Sequence, residues 1–127
     1  MAIESITISD KGRNQLISIK KRLGFQNWNI PCRWAFCLSL AEKSIPPEED
    51  IPSDSPLEMT WKTFGGKNAD LYLGLLRQRA KNDGVKLNPE DELSYFRLHL
   101  HRGISYLNSP KKISSISSLT TTCIMKP

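Results

Sequence analysis

The chain is poor in the residues that most often carry chemistry. Its three cysteines, Cys32, Cys37 and Cys123, are an odd number without metal-ligand spacing. Its two histidines, His99 and His101, stand two apart in a helical pattern, so they point to different faces and do not chelate one metal as an i, i+4 pair would. We find no Ser-His-Asp set and no Gly-rich phosphate loop. No apolar run reaches membrane-spanning length, and Met1 to Ile8 has neither a basic n-region nor a long apolar stretch. These absences disfavour a disulfide framework, an iron–sulfur cluster with its usual four cysteine ligands, a triad hydrolase and a membrane protein. The expected compartment is a reducing cytoplasm. A metal-dependent nuclease would need clustered carboxylates. The acids gather instead in a connector and at the start of the last helical segment, where capping explains them.

What is present is basic charge, unevenly placed. A chain of 127 residues with net charge +5 can bury a core unaided and favours an anionic partner. Residues 1–40 hold six Lys/Arg against Glu4 and Asp10, a balance of +4. Residues 41–60 hold Lys43 against six acids, a balance of −5. Residues 61–127 hold eleven basic and five acidic residues, a balance of +6. Two basic lobes flank an acidic connector.

Hydrophobic periodicity divides the lobes alike. Ile3 to Ser9 alternates as a half-buried strand, with Ile6 and Ile8 on one face. Ser9 is the expected N-cap of a helix whose stripe is Leu16, Ile19 and Leu23, ended by Gly24. A second helix starts near Asn27 to Asn29 and is apolar almost all round from Ile30 to Ala41. That marks a core element or a subunit interface. Residues 42–56, with Pro46, Pro47, Pro52 and Pro56, read as an extended connector, too polar to be packed. The second lobe opens with a strand pattern over Met59 to Phe64, broken at Gly65-Gly66. A helix from Asn68 to Asn82 turns Ala69, Tyr72, Leu73, Leu76 and Ala80 inward and stops at Asp83-Gly84. A last helix runs from Asn88 to about Asn108 with Leu93, Phe96, Leu100, Ile104 and Leu107 as its stripe. The expected fold class is mainly α with short β-strands, in two strand-helix-helix units. Its more specific form is ribbon-helix-helix-like, because a two-stranded ribbon fits the major groove. Residues 1–108 form the expected single domain, with halves 1–41 and 57–108. Residues 109–127 form a Ser/Thr-rich flexible tail.

The candidate site residues are cations rather than catalysts. Lys11, Arg13, Lys20, Lys21 and Arg22 supply one basic patch and Lys62 and Lys67 another. Lysine contacts to phosphate give affinity without reading sequence. Gly65-Gly66 ahead of a helix reads as a turn, with a phosphate seat beside Lys67 as its alternative. Trp34, Phe36, Leu38, Phe96 and Leu100 are candidates for the core or an oligomer interface. Cys32 and Cys37, about 140° apart on a helix, suit packing rather than a thiol relay.

Longer motifs carry a resemblance. Asn27-Trp28-Asn29, Cys32 through Leu40 (CRWAFCLSL), Thr60-Trp61-Lys62-Thr63-Phe64-Gly65-Gly66, Leu75 through Arg79 (LLRQR) and His99 through Leu107 (HLHRGISYL) resemble the DndE family of bacterial DNA sulfur modification (phosphorothioation). The resemblance spans about Ile3 to Leu107. It implies a role in replacing a non-bridging phosphate oxygen of DNA with sulfur. It implies a homotetramer that binds duplex DNA, preferring nicked duplex, beside a cysteine desulfurase, an iron–sulfur sulfur-transfer protein and an ATPase. No catalytic residue, metal or cofactor comes with it. The expected function is a non-catalytic DNA-binding subunit. The alternatives are a scaffold for the sulfur-modification complex, a nicking nuclease and, more weakly, a ribbon-type repressor.

Overall fold

A computed structural model of the chain describes residues 3–109. The tail expected from 109 onward, with Cys123, lies after Ser109 outside the described residues. The elements run β1 (Ser5–Thr7), α1 (Asp10–Leu23), α2 (Asn29–Ala41), β2 (Glu58–Thr60), α3 (Trp61–Gly65), α4 (Ala69–Asn82) and α5 (Glu92–Leu107). Short 3-10 turns at Gly66–Asn68 and Pro89–Asp91 lead into α4 and α5. The fold is mainly α, as expected. The strands pair with each other inside the chain, antiparallel, with Ser5 opposite Thr60, Ile6 opposite Met59 and Thr7 opposite Glu58. Ile6 and Met59 face the core. The ribbon's outer residues, Ser5, Thr7, Glu58 and Thr60, include no base, and Ser5 Oγ donates to Glu58 Oε1 at 2.8 Å. An acidic ribbon face is a poor match for the major groove, which weighs against the repressor reading.

Local chemistry explains most boundaries. Ser9 caps α1, its Oγ accepting from the Gly12 N–H at 3.0 Å. Gly24 takes the left-handed conformation, φ 78°, that ends the helix. The second strand is shorter than its alternation suggests. Thr60 Oγ1 accepts from the Thr63 N–H and caps α3, so the chain turns helical at Trp61. Trp61 and Phe64, three apart, then share the core face while Thr63 is exposed. The pattern Met59 to Phe64 fits both periods, and the cap decides between them.

The core runs through both lobes. Phe36 of α2, Trp61 and Phe64 of α3 and Phe96 of α5 are all buried. Phe96 lies 5.0 Å from Phe36, 4.9 Å from Trp61 and 5.0 Å from Phe64, centroid to centroid. The contacts to Trp61 and Phe64 are edge-on and that to Phe36 is tilted, and aromatic contacts of this kind add to burial. Leu38 and Leu100 are buried beside them, whereas Trp34 is only partly buried. Gly103 lets α5 approach α2 backbone to backbone: a Cβ there would lie 1.7 Å from the Ala35 carbonyl oxygen.

The connector departs from expectation. It has no helix or strand, yet it is pinned. Arg97 Nε donates to Thr7 O, Nη1 to Ile51 O and Nη2 to Pro52 O, each at 2.9 Å. Arg79 and Arg102 both donate to Ser44 O at 2.8 Å. Asp54 Oδ1 accepts from the Asp10 N–H at 2.7 Å. A proline-rich backbone lacks donors but keeps its carbonyls, and three arginines from α4 and α5 fill them. Glu92 also departs from a simple capping role. It is 4% exposed and takes Arg77 in a bidentate pair, Nε–Oε2 2.6 Å and Nη2–Oε1 3.1 Å, tying α5 to α4.

Candidate nucleic-acid interface

The helix period separates the basic residues of α1. At about 100° per residue, Arg13 and Lys20 share one flank, Lys21 faces away from the core stripe, and Lys11 and Arg22 lie on the other flank. The structure gives each a distinct setting. Arg22 is half-buried and its Nη2 donates to Leu107 O at 2.8 Å, at the C-terminal end of α5, where a cation is favoured. Lys11 borders a groove that also holds Glu49, Asp50 and Asp54 of the connector. Lys20 lays its ammonium over the Trp28 ring, 4.0 Å from the centroid. The Lys21 side chain is exposed and, among the described residues, makes no hydrogen bond or ion pair.

The second group lies on and after α3, which is bonded to the start of α2. Asn29 Nδ2 donates to Thr63 O at 3.1 Å, and Arg33 donates from Nε to Phe64 O and from Nη2 to Thr63 O. These bonds seat α3 beside residues 28–29, the turn that Lys20 covers. Lys62 and Lys67 are exposed there. The glycine turn between them is committed internally, because the Gly66 N–H donates to Lys62 O. That is the plain turn rather than the phosphate seat.

Sequence reasoning did not separate cations that hold the fold from cations that face solvent. Arg33, Arg79, Arg97 and Arg102 spend their donors on carbonyls, Asp83 or the Ser39 and Ser44 hydroxyls. Lys21, Lys62 and Lys67 do not. A guanidinium offers five directed donors and suits carbonyl stapling, whereas an ammonium keeps its water. The arginine-for-staple, lysine-for-surface split was the available signal.

The groups that resemble catalysts are buried, apart from Cys37, which is only partly so. Burial pushes the Cys32 thiol up to about 12, and raises Cys37 as well. Ser39 Oγ lies 2.7 Å from His99 Nδ1, the spacing of a base-activated hydroxyl, but both residues are fully buried and Ser39 Oγ also accepts from Arg102 Nε. Burial, then Arg102 and Arg79, push His99 down to about 3. His101 Nε2 accepts from the Ser9 N–H at 3.1 Å while its Nδ1 donates to Arg97 O, a neutral tautomer that links α5 to the cap of α1. Burial lowers its pKa too, against the pull of the Arg97 carbonyl. Among the described residues no three His, Cys, Asp or Glu are grouped to hold a metal ion, and no helix is long and apolar enough to cross a membrane.

These buried imidazoles set a pH dependence. The unfolded chain protonates both below about pH 6.5, and the folded chain resists. Their contribution to stability is whole above that pH and is lost as pH falls, down to about 3 for His99. The slope reaches about 1.4 kcal/mol per unit per histidine. The expected result is a urea midpoint equivalent to at least about 1 kcal/mol less stability at pH 5.5 than at pH 7.5, the His99 share, with His101 adding in the same direction. An equal midpoint at both would contradict the burial of neutral histidines.

The comparisons agree with one another. The chain's fold is similar to that in the crystal structure of DndE from Escherichia coli B7A, involved in DNA phosphorothioation modification. That match has a TM-score of 0.70 at 21% identity and covers 84% of this chain and 98% of that one. The crystal structure of a DndE G21/24K mutant matches with a TM-score of 0.64 at 19% identity, over 82% of this chain and 95% of that one. No curated protein sequence matches the chain. The family model for DNA sulphur modification protein DndE matches residues 5–115. The chain therefore belongs to the DndE family, a component of DNA phosphorothioation.

Proposed function

We propose that this chain is a non-catalytic DNA-binding subunit of the cytoplasmic DNA phosphorothioation machinery. The observation that carries the reading is the set of exposed, uncommitted lysine side chains, Lys21, Lys62 and Lys67, on elements that adjoin the start of α2, with Lys20 over Trp28. It holds duplex DNA through phosphate contacts, independent of sequence, and prefers nicked duplex. Lys11 and Arg13 extend the basic surface along the two flanks of α1. Ser39, His99 and His101 are buried and hydrogen-bonded within the fold, which supports a binding rather than a bond-making role. Its partners are DNA and the other sulfur-modification proteins: a cysteine desulfurase, an iron–sulfur sulfur-transfer protein and an ATPase. Competition between intact and nicked duplex of one sequence tests the preference. Equal affinity for both removes nick selection from the reading.

The homotetramer is part of the proposal, and repetition of the lysine cluster on four subunits raises affinity through avidity. Its contact surface is the outer face of α4 and α2. Leu71 and Leu75, one helical turn apart, are 59% and 38% exposed. Ile30, Trp34, Cys37 and Tyr72 line a shallow cleft between those helices. Four of the five residues named from the sequence for core or interface are core; only Trp34 reaches this surface. Leu71→Glu with Leu75→Glu is expected to reduce the mass seen by light scattering to that of a monomer or dimer, with unchanged far-UV circular dichroism. An unchanged mass excludes this face. The same surface favours the scaffold as the second reading, in which partner proteins rather than copies cover it.

A further inference from the structure

An apolar cleft lies inside the basic region. Ile17, Phe25 and Trp28 form its floor and walls, and Lys20 and Lys21 its rim. Its volume of about 340 Å³ falls in the range of small-ligand clefts. Ile17 is 42% exposed on a helix otherwise amphipathic in the ordinary way, and Phe25 and Trp28 are only partly buried. The Gly24 turn folds Phe25 and Trp28 back beside α1. Aromatic rings between lysines are the chemistry of single-stranded nucleic-acid binding: the ammonium groups take phosphates and the rings take base faces.

Resting on the DNA-binding reading above, we propose that this cleft holds one unstacked DNA base, with Trp28 as the stacking surface and Phe25 and Ile17 as its apolar surround. Lys20 occupies the Trp28 face in the free protein. An exposed cation–π contact is weaker than a base stack, so an arriving nucleotide displaces the ammonium and offers it a phosphate in exchange. The occupant is a base rather than an apolar peptide because both polar rim residues are lysines, matched to a phosphate on either side of the base. A base at a nick or gap is the cheapest to unstack, which gives the site a preference for interrupted over intact duplex. The cleft thereby supplies a physical origin for nick preference that phosphate contacts alone do not.

The test uses the full chain and a gapped duplex carrying 2-aminopurine at the gap. In wild type the probe's fluorescence is quenched on binding. Trp28→Phe keeps the quench. Trp28→Leu, apolar but not aromatic, loses it and binds the gapped duplex roughly tenfold more weakly, while intact duplex affinity stays within about twofold. Equal quenching by Trp28→Leu and wild type overturns the stacking site. Equal loss on gapped and intact duplex also overturns it, because Trp28 would then act only by positioning Lys20. A drop in oligomeric mass for Ile17→Asp overturns it too, making the cleft an interface between copies. If wild type binds no oligonucleotide at low salt, the DNA-binding reading fails first and the inference with it.

Discussion

Replacing Gly103 by alanine is expected to destabilise the fold by about 4 kcal/mol or more, out of the roughly 5–15 kcal/mol that holds a domain of this size together. The added Cβ would lie 1.7 Å from Ala35 O, 2.3 Å from Ala35 C and 2.9 Å from Ala35 Cα. All three are backbone atoms, so no side chain can swing aside. Helix α5 must move off α2 by more than an ångström. That opens the contact at Phe36 and Phe96 and strains the Ser39–His99–Arg102 bonds between the same two helices. Interiors packed at crystal density do not absorb such a shift locally. Thermal unfolding is expected to fall by roughly 15–30 °C, with loss of near-ultraviolet circular dichroism at 37 °C. A shift below about 5 °C would mean that the helices do not meet at Gly103.

The second large effect concerns DNA. The triple variant Lys21→Glu, Lys62→Glu, Lys67→Glu is expected to bind duplex roughly 100-fold or more weakly. The slope of log K against log salt is expected to shrink by about one for each lysine lost. None of the three side chains has a hydrogen bond or ion pair among the described residues, so stability should stay within about 0.5 kcal/mol of wild type. A matched control removes the ambiguity of net charge. Lys43→Glu, Lys81→Glu, Lys86→Glu makes the same change, from +5 to −1, at exposed sites away from the start of α2. If both triples weaken binding equally, the field of the whole protein matters and the patch does not.

The residues show where sequence pattern was sufficient. The α1 cap at Ser9, its stop at Gly24 and the stripe Leu16–Ile19–Leu23 are local signals, and local hydrogen bonds or burial realise each of them. The stripe of α5 was legible for the same reason. Trp61 was not, because six residues fit two periods and a side-chain cap chose the helix. The connector was not legible either. Its composition describes a solvated loop, and its order comes from Arg79, Arg97 and Arg102, which lie from about 35 to nearly 60 residues further along the chain. The candidate site was readable as charge but not as geometry. Lys20 and Lys62 come from different lobes, and their neighbours Asn29 and Thr63 are joined by a tertiary contact without a local signature. Arg22 illustrates the converse: basic and adjacent to Lys21 in sequence, it is turned toward the end of α5.

The most direct test of the central claim is a salt titration of DNA binding by the purified wild-type chain. It uses duplexes of unrelated sequence, each intact and nicked, from about 50 to 200 mM salt. The account predicts that log K falls linearly with log salt with a slope of about −4 or steeper, equal for all sequences, with nicked duplex bound more tightly throughout. Absence of binding at about 50 mM salt, or binding that ignores salt and depends on sequence, would contradict it.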